Sequence, residues 1–196
     1  MKIIQKNWYL FMVLSLCFSQ EVLPLTQRYF HTEEKGFDYE RGTYLIILAD
    51  YSLESILRDG DYGNFINFKQ TQGYNVVIRD MGYIGGSSDN LRDYLQYYYE
   101  QDPAGSMLEY VLLVGDVNGN FSIPSKSIRS YNEDEMDVTD YPYTVYDSDK
   151  LTPLFYIGRW SIRSIDDLKK ISLRTAQYVK MDSLQNSSYL NNALVV

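Results

Sequence analysis

The chain has 196 residues, 45% of them hydrophobic and 22% charged, enough to bury one sizeable core but not two full domains. Its formal charge is −8, and no basic stripe is visible, which excludes the pattern expected of a nucleic-acid partner. The surface acidity is compatible with cation binding or with simple solubility. Twenty tyrosines stand against two tryptophans, as in "YLQYYYE" and "DYPYTVY", and such a load is read first as packing on half-buried faces.

In chain order, residues 1–19 read as a signal peptide. Lys2 and Lys6 precede an apolar run from Trp8 to Leu14, followed by small and polar residues. The run is too short for a stable membrane span. Cleavage after Ser19 places Cys17 and Ser19 at the two small-residue positions, and points to a secreted or extracytoplasmic protein. It also removes the sole cysteine of the chain, so the mature segment carries no thiol and no disulfide. Residues 20–42 form a short polar segment holding the sole histidine, His31. No Cys/His dyad, Ser/His/Asp triad or zinc cluster can be assembled from this set.

Residues 43–196 read as one α/β unit. "GTYLIILAD" (42–50) is a buried strand, and "YSLESILRD" starts a helix with Ser52 as its N-cap. "DGDYG" interrupts that helix, "NFINFKQTQ" resumes it, and Gly73 sits where a helix C-terminal glycine belongs. "YNVVIRD" (74–80) is the second strand. Leu91, Tyr94, Leu95 and Tyr98 then mark one apolar helical face, at spacings of three and four residues. "LEYVLLVGD" (108–116) is the third strand; its unbroken apolar run, 110–114, predicts an inner strand covered on both faces. Residues 117–140 are polar and are expected to run over the surface without adding to the core. "LFYIGRW" (154–160) is the next strand. Ser164 and Asp167 form a capping box for the helix "IDDLKKISLRTAQYVKM". Strand and helix alternate with crossover-length connections, the pattern of a three-layer parallel-sheet sandwich. Residues 193–196 look like the opening of a further buried strand, so the chain is expected to be the amino-terminal part of a longer protein.

"GYIGGSS" and "GDVNGN" match neither the dinucleotide fingerprint nor the P-loop, and their glycines read as turn residues. The ordered set "YLIILAD", "QTQGYNV", "LEYVLLVGDV" with Ile123-Pro124, and "TDYPYTVYDSD…LFYIGRWSIRSIDDLKK" resembles the gingipain-like cysteine peptidases from about Thr43 onward. The resemblance implies a caspase-like α/β fold, truncated here after the N-terminal subdomain. It also implies a secreted endopeptidase that cleaves protein or peptide substrates with a Cys/His dyad. In the family that dyad lies beyond the point where this chain stops, so the resemblance assigns no catalytic residue here, and the chain as given is expected to be inactive. It further suggests a structural calcium near Asp116 and another site in the loop before "IGR", where Asp147 and Asp149 offer oxygens, although Lys150 and Leu154 stand where family members often carry more acids. The alternative for Asp116 is a turn acid that accepts backbone N–H bonds. The alternative for the whole chain is a secreted, non-catalytic α/β module that binds a ligand or partner.

Overall fold

The computed structural model describes residues 41–101, 107–129, 135–146 and 152–180. In chain order the elements are β1 (Thr43–Leu48), α1 (Glu54–Arg58), α2 (Phe65–Thr71), β2 (Asn75–Asp80), α3 (Met81–Ile84), α4 (Ser88–Gln101), β3 (Leu108–Val114), β4 (Lys126–Arg129), β5 (Met136–Thr139), β6 (Tyr156–Trp160) and α5 (Ile165–Lys180). Strands β2, β1, β3 and β6 lie side by side in that order, all parallel.

The central strands β1 and β3 explain the layering. Alternate residues along a strand point to opposite faces. Leu45, Ile47, Val111 and Leu113 pack on one side with Leu91, Leu95 and Tyr98 of α4. Ile46, Leu48, Leu112 and Val114 pack on the other with Leu57 of α1, Phe65 and Ile66 of α2, and Leu168 of α5. Helices therefore cover both faces, as the continuous apolar runs require. The run 110–114 is the inner strand anticipated from the sequence, flanked by β1 and β6. Burying one such leucine or isoleucine contributes about 1.5–3 kcal/mol.

Local signals set the helix ends. Gly73, with φ +90°, closes α2 as the sequence suggested. Ser164 and Asp167 bond reciprocally: the Asp167 N–H donates to Ser164 Oγ (3.2 Å), and the Ser164 N–H donates to Asp167 Oδ2 (3.0 Å). The cap before α1 differs from the expectation. Asp50, not Ser52, has the extended backbone of a capping residue, and its carboxylate accepts the Ser52 N–H at 2.8 Å. Ser52 already lies inside a tight 3₁₀ turn, 51–53, that leads into the helix. Gly63 marks a close approach: a Cβ there would come within 2.5 Å of Ala176 Cβ on α5.

Among the described residues, several tyrosines pack on one another. Tyr44, Tyr110 and Tyr156 stack across three neighbouring strands, with ring centroids 5.7 and 5.3 Å apart.

The polar stretch after β3 corrects a second expectation. It contains the antiparallel hairpin β4–β5, and it sends Ile123 fully into the core. Tyr143, just beyond it, is fully buried too and donates its hydroxyl to the Pro124 carbonyl (2.7 Å). An apolar residue between Ser122 and Pro124 extends no periodic run that would betray it. Here the loop doubles back over the end of β3 and carries that residue inside.

Candidate functional site

In a parallel sheet of order β2-β1-β3-β6, the chain leaves β1 in one direction and β3 in the other. The crevice at that reversal, outside the carboxyl ends of the strands, is the place where such sheets form sites. Its floor is Gly115. The Ala49 N–H donates to the Val114 carbonyl (3.0 Å) and the Gly115 N–H to the Trp160 carbonyl (3.0 Å), which ties β1, β3 and β6 together at their ends. A side chain on Gly115 would meet Phe121 O at 2.8 Å, Ile123 Cγ1 at 2.9 Å and Ala49 Cβ at 3.0 Å. Only glycine lets the returning loop lie so close.

Asp116 follows directly, at the lip of the crevice. Its backbone N–H donates to Phe121 O (2.8 Å), and its own carbonyl accepts from the Ile123 N–H (2.8 Å), so the loop closes on itself. Its carboxylate accepts two bonds, Oδ2 from the Nε–H of Arg163 (3.0 Å) and Oδ1 from the Val117 N–H (2.8 Å). The Arg163 guanidinium, then the Val117 amide, holds the Asp116 carboxyl below the usual carboxylate range. With Asn118, Gly119 and Asn120, the pair lines an open cleft of about 400 Å³.

Beneath the lip lies an ion pair that sequence reasoning missed. Arg159, next to last in β6, donates Nε–H and Nη2–H to the two oxygens of Asp140, both at 2.8 Å. Its Nη1 reaches the carbonyls of Ile123 (2.8 Å) and Gly115 (3.1 Å). Asp140 also accepts the Ser125 hydroxyl. The two side chains are only 10% and 18% exposed, so one guanidinium fastens the returning loop and the strand after it to the ends of β3 and β6. The signal in the sequence was an arginine interrupting an otherwise apolar strand, "YIGRW". Nothing along the chain named Asp140 as its partner.

The strand-end acids do separate work. Asp50 caps the turn into α1, and Asp80 caps α3 by accepting the Tyr83 N–H (3.2 Å). Asp116 thus stands with an arginine, not with a second carboxylate. Among the described residues, no group of three or more His, Cys, Asp or Glu side chains could hold a metal ion. Both Asp116 oxygens accept a bond here, one of them from a cation that calcium would have to approach. Asp147 and Asp149 lie outside the described residues, as do Cys17 and His31. Among the described residues, no helix is long and apolar enough to cross a membrane.

Comparison with known proteins adds to this geometry. The model of peptidase family C25 matches residues 38–196. Among solved structures, the chain is similar to the complex of Porphyromonas gingivalis RgpB pro- and mature domains, at 24% identity and a TM-score of 0.57, over 70% of this chain and 29% of that one. It is also similar to the Arg-specific cysteine proteinase gingipain R (RgpB), at 24% identity and a TM-score of 0.55, over 72% of this chain and 29% of the other. At that identity these two structures speak to the fold alone. The chain spans less than a third of the length of either. No curated protein matches it.

Proposed function

Because the chain belongs to peptidase family C25, the gingipain family of cysteine peptidases, we propose that it forms the amino-terminal portion of a secreted cysteine endopeptidase and frames the active site without supplying the dyad. The single observation behind this reading is the family match over residues 38–196 in a chain whose one thiol, Cys17, and one imidazole, His31, both precede the matched segment. Thiol-dependent acyl transfer needs a cysteine with a base within hydrogen-bond reach. In our reading both groups come from polypeptide outside these 196 residues. The short basic and apolar leader supports export.

The described residues then have a scaffolding role. Arg159 and Asp140 fasten the loop around Asp116 to the ends of β3 and β6, which gives the reaction partners a fixed rim. Protein or peptide substrates are bound by the complete domain.

A direct test compares residues 20–196 with the longer protein that contains them, on a mixed peptide library. The longer protein is expected to hydrolyse peptides and to lose that activity on thiol alkylation. The short chain is expected to give no turnover. Turnover by residues 20–196 that survives alkylation would defeat the reading.

Calcium at Asp116 is a separate proposal, supported by the acidic chain and the strand-end position. The Arg163 guanidinium opposes a second cation at that carboxylate. Arg163→Ala should therefore enhance the calcium-dependent rise in melting temperature of the longer protein, and Asp116→Asn should abolish it. No response to calcium in either the parent or the Arg163→Ala protein would end that idea.

A further inference from the structure

Asn118 and Gly119 form the sole Asn-Gly pair in the 196 residues, and they sit at the tip of the loop that leaves β3. Both are exposed. Gly119 has φ +94°, and a Cβ built on it would meet nothing within 4 Å. Among the described residues, no hydrogen bond occupies the Asn118 carboxamide or the Gly119 N–H. Two other asparagines are held. Asn64 accepts the Asn67 N–H at 3.1 Å, and Asn90 donates Nδ2–H to the Gly85 carbonyl at 2.9 Å. Each of those two is also followed by a bulky residue, Phe65 or Leu91.

From this contrast we propose that Asn118 is a site of spontaneous deamidation, which turns the Asp116–Arg163 cleft from a neutral ion pair into an anionic surface. The Gly119 backbone nitrogen attacks Asn118 Cγ. The new N–Cγ bond forms as the Gly119 N–H proton passes to solvent, and the Cγ–Nδ2 bond breaks as the leaving nitrogen takes a proton back from solvent and departs as ammonia. Water then opens the resulting succinimide at one of its two carbonyls. The product is aspartate, or isoaspartate with the chain routed through the former side chain. Glycine promotes the step because no side chain crowds the attacking nitrogen and its backbone turns freely. An exposed loop tip gives that freedom in the folded protein.

The consequence is electrostatic. Asn118 lines the same cleft as Asp116 and Arg163, so one guanidinium comes to serve two carboxylates. Arg163, with a side chain 85% exposed, can turn toward either.

The experiment ages the full chain in mildly alkaline buffer, folded in one sample and unfolded by urea in another. Peptide mapping by mass spectrometry then follows the amide-to-acid mass gain, and enzymatic methyl labelling reports isoaspartate. In the folded sample, the Asn118 peptide should convert several-fold faster than those holding Asn64 or Asn90, with isoaspartate the larger product. An acidic isoform should appear on ion exchange and be missing from an Asn118→Ser variant. If Asn118 converts in urea but stays an amide in the folded sample, the proposal is wrong. Equal conversion of Asn64 or Asn90, or an acidic isoform that persists in Asn118→Ser, would overturn it as well.

Discussion

Replacing Arg159 by methionine removes the guanidinium but keeps much of its apolar length. The change strips two bonds from Asp140 and one each from the Gly115, Ile123 and Pro124 carbonyls. The Asp140 carboxylate, 18% exposed, is left without its counter-charge, and among the described residues the Ser125 hydroxyl still reaches it. Breaking a buried pair from one side costs about 3–5 kcal/mol, because a desolvated charge is stranded. The orphaned carbonyls are included in that range, since the loop can relax to admit water. For a chain of this size, roughly 2–4 °C of melting temperature accompany each kcal/mol, so a fall of roughly 6–20 °C is expected. Urea unfolding should show the loss as a lower midpoint at unchanged slope. Amide exchange should accelerate first at Asp116 and Ile123, whose N–H groups donate to the Phe121 and Asp116 carbonyls and close the loop. A double variant that also replaces Asp140 by leucine should lose less than the two single losses combined, because no charge is then stranded. A loss under about 1 kcal/mol for Arg159→Met, or strict additivity in the cycle, would refute the claim that this pair fastens the loop.

Gly115→Ala forces a methyl against Phe121 O, Ile123 and Ala49, and should cost about 1–3 kcal/mol in denaturant titrations; a neutral result would mean the loop is not packed as described. Ser164→Ala removes one half of the capping box at α5 and should cost about 1 kcal/mol, while Ser164→Thr should recover most of it. The Asp116 carboxyl is held low in the folded state, chiefly by Arg163, so its contribution to stability is present above the ordinary carboxylate range and is lost as pH falls through the folded value. Melting of the parent and Asp116→Asn proteins should therefore differ near neutral pH and converge in acid, and the difference should shrink in high salt. A gap that is constant with pH would rule out the ion pair as its source.

Periodicity and local chemistry along the chain were enough to fix the parallel α/β class, the inner position of 110–114, the buried stripe of α4 and the Ser164–Asp167 box. Each of these rests on residues close in sequence, where burial on two faces or a cap leaves a repeating mark. The acid at the end of β3 was legible for the same reason, since an apolar run that stops at Gly115-Asp116 announces a strand end. What that acid touches was not legible. Arg163 lies 47 residues away, and it meets Asp116 only because β6 runs parallel beside β3 and ends level with it. Arg159 and Asp140 are 19 residues apart, and between them the chain makes a turn and enters β6. The burial of Ile123 and the β4–β5 hairpin were not foreseen because one inward residue and two four-residue strands carry too short a pattern. Ser52 lost the cap to Asp50 by the conformation of two residues, a choice made by how β1 exits the sheet. Sequence by itself determined which faces must be covered, because hydrophobic burial is written residue by residue. Which side chains meet at the crevice was decided by tertiary structure alone, because strand order and loop return set those distances.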